Sequence, residues 1–403
     1  MIIAGHQVDD AMFDYIARNC DADTYKLLLK DEPSLTFDKS FAILQLECRR
    51  KARNKIPDLL RNETFLFPKS ISAEQCSHEI VALFHASQFQ PNENVLDMTM
   101  GLGVDDYYIA QQVKSVIAID FDKEIAEVAS YNFASLAPNI KVVQGDSIEY
   151  LASLDNHDHF DAIFIDPARR GDKGQRLYGF GDCQPNVLSA MTLIKQHSKR
   201  LYIKASPMLD LTQSIRELGN HLTDVWAVSI KNECKELFFK LDFENEPAIV
   251  NFYALNHDGK DWQRFSTNSS SNSTHLNNGV PKAGDYLYEP NASIMKLGCY
   301  NALEQTFNAP QLAKNSHLMV SERAIEDFPG RQFQILEVIP FKDREIKALG
   351  KRLKQSNVAT RNFRLTAEAL KRRLRLSDGG ETYIFATTLS HGDQVLILCE
   401  KII

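Results

Sequence analysis

Asn94-Val-Leu-Asp-Met-Thr-Met-Gly-Leu-Gly-Val-Asp105 is the stretch whose reading decides the fold. An apolar run ends in Asp97, and Gly101 and Gly103 let the backbone turn tightly. Nineteen residues after Gly101, a second apolar run, Ser115-Val-Ile-Ala-Ile-Asp120, delivers a second acid. That pattern makes a nucleoside-cofactor site at the carboxyl edge of a parallel sheet, where the second acid hydrogen-bonds ribose hydroxyls. The loop decides which nucleoside. A dinucleotide rests its pyrophosphate on the first helix N-terminus and wants a third glycine for close packing. Here that position is Asp106, beside Asp105. Two carboxylates repel a pyrophosphate and suit a cationic sulfonium, so the expected cofactor is S-adenosyl-L-methionine rather than NAD.

Working outward, Val95–Met98, Val116–Ile119, Val142–Gln144, Ala162–Ile165 and Leu201–Ile203 are five strand cores separated by helical stretches. Alternation of this kind predicts an α/β fold with a doubly wound, Rossmann-like sheet. Val225–Ile230, Leu237–Leu241 and Ile249–Tyr253 follow with short gaps and read as antiparallel additions at one edge. Upstream, residues 8–85 read as helical, with a helix over Phe41–Pro57 that stops at the proline and another opened by Ser72 as N-cap. Downstream, Asp261 to Gly279 contains Phe265-Ser-Thr-Asn-Ser-Ser-Ser-Asn-Ser-Thr274, too polar to bury anything, and reads as a linker. The tail contains helices near Asp343–Gln355 and Thr366–Leu376, then strands at Thr382–Thr388 and Val395–Cys399. The expected domains are a helical region over 1–88, a catalytic core over 89–258, a linker over 259–280, a small α/β segment over 281–329 and a basic α+β domain over 330–403.

The 403 residues suffice for several domains, each with its own core. No segment approaches eighteen uninterrupted apolar residues, so no membrane span is expected. No basic region precedes a hydrophobic run at the N-terminus, and the seven scattered cysteines contain no Cys-x-x-Cys. They read as reduced thiols of a cytoplasmic protein, with no disulfide framework and no metal site. The net charge of −7 hides an asymmetry: from Arg331 to Arg375 there are 13 Lys and Arg against 4 acids. Such a run is either a solvated helix face or a nucleic-acid footprint, and its concentration in an otherwise acidic chain favours the footprint. Cys48-Arg-Arg-Lys-Ala-Arg-Asn-Lys55 is a second basic patch, or only the outer face of a helix.

Asp97 and the Thr99–Gly103 loop are placed under the methionine moiety of the cofactor, with Asp120 on the ribose and Phe121 beside it. Asp146, past the third strand, either accepts from the adenine amino group or caps the next helix, and one residue can do both. The fourth strand ends in Ile165-Asp166-Pro-Ala-Arg-Arg-Gly171. An acid followed by proline holds acceptors rigidly beside the departing methyl group, so Asp166 and the Pro167 backbone are the catalytic candidates. Arg169 and Arg170 either clamp a phosphate and stack on a base or pair with neighbouring acids. The glycine-rich loop Gly171–Asp182 reads as a substrate lid, with Tyr178 or Phe180 available for stacking.

Asp-x-Thr-x-Gly-x-Gly-x-Asp together with Asp-Pro-Ala-Arg resembles class I S-adenosylmethionine-dependent methyltransferases, especially branches acting on ribosomal and transfer RNA. The full chain resembles a bacterial group with that core, a small ferredoxin-like segment and a C-terminal THUMP-like domain. Glu74-Gln-Cys-Ser, Asn232-Glu-Cys-Lys-Glu236, Tyr286-Leu-Tyr-Glu-Pro-Asn-Ala-Ser293, Asp327-Phe-Pro-Gly-Arg331, Arg361-Asn-Phe-Arg364 and Asp378-Gly-Gly-Glu-Thr-Tyr383 extend the likeness over nearly everything except the Ser/Asn stretch. THUMP domains are associated with RNA binding, which matches the basic tail. Asp-Pro-Ala-Arg also occurs in enzymes that methylate C5 of uracil through a cysteine adduct, which carry Ser-Cys-Asn-Pro after the fifth strand. This chain has Lys204-Ala-Ser-Pro207 there, and without a thiolate the ring addition has no nucleophile.

The expected activity is methyl transfer to a nucleobase nitrogen of structured RNA, tRNA or rRNA. Alternatives are methylation of a protein or small molecule, or a non-catalytic RNA-binding factor that retains the cofactor pocket. Nothing in the residues fixes an oligomeric state.

Overall fold

The computed structural model describes residues 1–155, 157–169, 179–270 and 278–402. The chain divides into two compact units, Met1–Thr223 with Phe238–Ala248, and Asp224–Leu237 with Ile249–Ile403.

The first unit opens with five helices, α1 (Asp10–Arg18), α2 (Thr24–Leu29), α3 (Lys39–Ala52), α4 (Ser70–Gln75) and α5 (Glu79–Ala86). Asp9, Asp23 and Asp38 cap the first three, each carboxylate accepting from first-turn amides that lack a helical partner. Two expectations are corrected here. The helix expected to run to Pro57 ends at Ala52, and Ser72 lies inside α4, buried, because that helix begins two residues earlier. The basic patch on α3 is also largely structural. Arg49 donates to the carbonyls of Asn62, Glu63 and Phe65, and Arg50 Nε to that of Cys20 at 2.9 Å.

Next come β1 (Asn94–Asp97), α6 (Val104–Ala110), β2 (Ser115–Asp120), α7 (Lys123–Leu136), β3 (Ile140–Gln144), α8 (Ser147–Ala152), β4 (Ala162–Ile165), α9 (Val187–His197), β5 (Arg200–Ala205) and α10 (Leu211–Leu218). The strands pair in parallel in the order β3-β2-β1-β4-β5. All five are where the apolar runs placed them. Sheet order reverses between β1 and β4, which opens a crevice at their carboxyl ends. The N-terminal helices do not line that crevice with their apolar faces. Met12, Phe41 and Leu46 form one cluster with Val128 of α7, and the Asn132 side chain exchanges two 2.9 Å hydrogen bonds with the Leu66 backbone.

β6 (Leu222–Ile230) and β7 (Glu233–Asp242) are joined by Lys231 and Asn232, both at positive φ (49° and 64°), as a tight two-residue hairpin turn requires. Phe238, in the part of β7 that belongs to the first unit, stacks on Tyr202 of β5. In the second unit β6 pairs with β8 (Asn251–His257) in parallel, and β8 with β9 (Trp262–Asn268) antiparallel. The additions are therefore not all antiparallel, and the expected linker begins with a strand. Its Phe265 is buried against Ala254, which anchors β9 despite its polar neighbours.

The remainder of the second unit comprises β10 (Tyr286–Pro290), α11 (Ala292–Leu297), α12 (Tyr300–Phe307), β11 (Met319–Ser321), β12 (Gly330–Pro340), α13 (Asp343–Arg352), β13 (Asn357–Arg361), α14 (Ala367–Leu374), β14 (Thr382–Thr388) and β15 (Gln394–Lys401). Six strands form one sheet in the order β11-β10-β12-β15-β14-β13. Ile346, Leu349, Leu370 and Leu374 of α13 and α14 pack with Ile384 and Leu396, whereas Phe333, Phe385 and Ile397 pack with Leu312 and Leu318. The alternation of Ile384/Phe385 and Leu396/Ile397 between two clusters is the period-2 signature of a sheet covered on both faces.

Candidate active site

Asp97 closes β1 and is 1% exposed. Its Oδ1 accepts from the Thr99 amide at 2.6 Å, which bends the chain into the glycine loop. Gly101 (φ 58°) donates its amide to Asp120 Oδ2 at 2.9 Å, joining the ends of β1 and β2. Asp120 Oδ1 accepts from the Asp122 amide at 2.8 Å. Gly103 (φ 76°) sits on Phe133: a β-carbon there would lie 2.3 Å from the ring. A β-carbon on Gly101 would meet nothing within 4 Å, nor would one on Gly145, so both face open space. Thr99 Oγ1 accepts from the Asp166 amide at 2.7 Å. The loop after β1 and the acid after β4 are thus one hydrogen-bonded assembly.

Behind this loop lies a charge network that the sequence reading missed. Lys204 at the end of β5 donates to Asp166 Oδ2 at 2.6 Å and to Ser77 Oγ at 2.8 Å, and lies 3.5 Å from Asp105. Asp105 also bonds His85 Nδ1 at 2.8 Å and accepts from the Ser77 hydroxyl. Burial opposes ionisation of Asp105, but the Lys204 ammonium and the His85 imidazole outweigh it and hold the carboxyl well below the usual range. Asp106 behaves oppositely. Buried beside Asp97, it is raised well above an ordinary carboxyl by burial and then by the Asp97 and Asp105 charges, and Asp97 itself is pushed up to about 8, chiefly by burial. The expectation that Asp105 and Asp106 present two free negative charges to the cofactor is therefore corrected: Asp105 is paired with Lys204 and His85, and burial beside Asp97 disfavours the charged form of Asp106.

Parallel register makes Lys204 legible in retrospect. Ile165 pairs with Ile203, so the next residues, Asp166 and Lys204, leave neighbouring strands side by side. His85 and Ser77 come from α5 and the turn before it, and no local spacing in the sequence ties them to Asp105.

The other expected residues divide. Asp146 is exposed and caps α8, Oδ1 accepting from Ile148 N at 2.7 Å. Phe121 is 76% exposed next to Asp120. Asp166 is 40% exposed, and Pro167 is buried behind it. Arg169 contributes backbone to a short antiparallel pairing with Cys183. Its side chain, Arg170, Tyr178 and the expected lid up to residue 178 lie outside the described residues. Phe180 is fully buried edge-on to Phe239, which removes it from the stacking candidates. Cys234 is half-buried with its thiol pKa raised by burial, the state of a structural cysteine. Among the described residues no group of three or more His, Cys, Asp or Glu can hold a metal, and no helix is long and apolar enough to cross a membrane.

Comparison with known proteins places this geometry. Residues 330–401 match the THUMP domain-like family and residues 286–329 a ferredoxin-like domain. The fold over the whole chain is that of the crystal structure of a putative methyltransferase from Porphyromonas gingivalis, 27% identical, with a TM-score of 0.89 and 100% of each chain covered. An uncharacterized RNA methyltransferase of Mycoplasma mobile is 31% identical over 131 residues, 32% of this chain. That match spans only 35% of the relative's length. The first unit thus has a Rossmann-like α/β sheet of the kind seen in that methyltransferase structure, and in the second unit the residues that match the ferredoxin-like and THUMP domain-like models share one six-stranded sheet.

Proposed function

We propose that this protein transfers the methyl group of S-adenosyl-L-methionine to a nucleobase nitrogen in structured RNA, tRNA or rRNA, in the cytoplasm. The observation that carries the reading is the bond from the Asp166 amide to Thr99, which fixes an exposed acceptor carboxylate against the glycine loop. The residues fit the cofactor. Open space above Gly101 and Gly145 leaves room at the carboxyl ends of β1 and β3. Asp120 stands at the end of β2 for the ribose hydroxyls, with Thr99, Gly101, Gly103 and Asp97 on the methionine side and Phe121 and Asp146 on the adenine side.

When bound, the cofactor supplies an electrophilic methyl group on a sulfonium. The remaining work falls to this chain. Asp166 Oδ2 is held by Lys204, and Oδ1, which has no hydrogen bond among the described residues, accepts from an amine hydrogen of the base. The Pro167 carbonyl accepts a second, and the pair aims the nitrogen lone pair. The proton displaced from nitrogen can pass to Oδ1. An amine already delocalised into a ring needs this orientation more than it needs a strong base.

RNA as the substrate rests on the THUMP-like domain, on the name of the Mycoplasma relative and on charge. Arg344, Lys347, Lys351, Lys354, Arg372 and Arg375 are exposed and form no ion pair among the described residues. The test is methyl incorporation from labelled cofactor into total RNA of cells lacking the protein. Incorporation that Asp166→Ala abolishes while cofactor binding persists is the expected result. Tight RNA binding with no incorporation sinks the enzymatic reading, and incorporation into protein instead sinks the substrate.

A further inference from the structure

We propose that the second unit carries a nucleobase-binding recess lined by the stacked Tyr300 and His317 rings and the Gln311 amide, a site distinct from the methyl-transfer crevice of the first unit. The recess has a volume of about 780 Å³. That is the size of a small-ligand pocket and ample for a nucleoside phosphate.

Two features select the ligand class. The first is the aromatic wall: the Tyr300 and His317 rings are half-buried, 4.2 Å apart and inclined by 16°. Stacking a base on such a surface contributes ~1–3 kcal/mol. The second is a pair of polar atoms with no partner. Gln311 Oε1 and His317 Nδ1 are both buried and unbonded among the described residues, and Gln311 is only 2% exposed. Leaving such an atom unbonded costs ~1–3 kcal/mol, which a ligand hydrogen bond would recover. His317 is also held in a left-handed backbone setting, φ 53°, that is uncommon for a residue with a β-carbon. Burial and then the Arg361 charge push its pKa down, so the imidazole stays neutral and its Nδ1 can donate or accept. Gln311 Oε1 needs a donor. The ring or amino N–H of a nucleobase edge supplies one while the base lies on the aromatic wall. Exposed Lys314 on the same lining offers a cation to a phosphate, and an adjoining recess of about 390 Å³ shares Thr267, Asn268 and Ala302 with it.

The chemistry is that of a base bearing a phosphate, whether it belongs to an RNA strand or to a free nucleotide. The experiment uses the full chain saturated with S-adenosyl-L-homocysteine, titrated calorimetrically with guanosine 5′-monophosphate and with ribose 5-phosphate. The nucleotide should bind and the sugar phosphate should not. Gln311→Leu, which keeps the shape, should weaken binding about five-fold, the loss of one hydrogen bond, and His317→Ala, which removes half of the ring pair, at least about five-fold. Lys314→Met, at an exposed position that folding does not need, should weaken it about three-fold. Absence of nucleotide binding, equal binding of ribose 5-phosphate, or unchanged affinity in Lys314→Met and the other folded variants overturns the proposal. Competition by a short single-stranded RNA assigns the base to RNA, and failure to compete assigns it to free nucleotide; both require the recess. Because this readout involves no methyl transfer, its failure leaves the proposed activity standing.

Discussion

Lys204→Met removes the ammonium that joins Asp166, Ser77 and Asp105, and its consequences can be worked out separately for folding and for turnover. Lys204 and Asp105 are 13% and 11% exposed, so their ion pair is buried. Deleting one partner of such a pair costs ~3–5 kcal/mol, because the other charge is left uncompensated. Asp105 keeps His85 and Ser77, which puts the expected loss at the lower end, about 3 kcal/mol. Asp166, at 40% exposure, is hydrated and adds little to stability. Its loss is positional: without the 2.6 Å bond to Lys204 the carboxylate can rotate away from the amine, and misplacement of this order costs roughly 100-fold in turnover. The double variant Lys204→Met/Asp105→Asn separates the two effects. Removing the stranded charge should restore most of the stability in urea melts, while labelled-methyl assays on RNA stay about 100-fold down and cofactor affinity changes little. If the single variant turns over within three-fold of the parent, or if the double variant recovers both properties, Lys204 does not position Asp166.

Gly103→Ala should destabilise the first unit by ~2 kcal/mol or more in a thermal melt, since its β-carbon meets Phe133 at 2.3 Å in a left-handed backbone. Gly101→Ala meets no protein atom, so its melt should move by only about 1 kcal/mol, while calorimetric affinity for S-adenosyl-L-homocysteine falls at least about ten-fold if that space is the cofactor's. Asp97 and Asp106 have folded-state pKa values raised by burial, so stability is fullest below pH ~4 and is lost as pH rises towards about 8 for Asp97. Asp106→Asn should therefore melt close to the parent at acid pH and a few degrees above it near pH 8.5; the opposite trend refutes the protonated state. Reversing Arg344, Lys347 and Lys351 to glutamate should weaken RNA binding and flatten its dependence on salt, read by anisotropy across a salt series. NAD should bind at least about 100-fold more weakly than S-adenosyl-L-homocysteine in the same calorimeter.

The sheet was legible because its five parallel strands are short apolar runs, four of which lead into an acid or a glycine, whereas that of β5 leads into Lys204-Ala-Ser-Pro207. The edge was not. β6 and β8 are parallel and β9 is polar except for Trp262 and Phe265, and no periodicity over seven residues distinguishes such a strand from a loop. In the site, Asp97, Asp120 and Asp166 announce themselves because each closes a strand. Lys204 does so only once β4 and β5 are known to be neighbours. His85 and Ser77 lie in a separate helical segment, and their approach to Asp105 depends on how α5 packs beside α6, which is long-range information.

The bend of the glycine loop disfavours a pyrophosphate for a reason other than the one its acids suggest. With Asp105 paired to Lys204 and His85, and the charged form of Asp106 disfavoured by burial, charge repulsion has little left to act through. The decisive property is the fate of the loop's donors. A pyrophosphate needs free backbone amides at the bend. Here the Thr99 amide goes to Asp97, that of Met100 to the Ile119 carbonyl, that of Gly101 to Asp120 and that of Gly103 to the Met100 carbonyl, the last three at 2.9, 2.9 and 3.0 Å. These four donors are already used within the protein, so a phosphate seated at the bend would have to break a bond for each of them it engaged. A sulfonium amino acid asks nothing of those amides at this point; it needs acceptors and space. The loop presents that surface: carboxylate oxygens at Asp120 with lone pairs to spare, and two glycines whose missing side chains leave room above Gly101 and packing on Phe133 beneath Gly103.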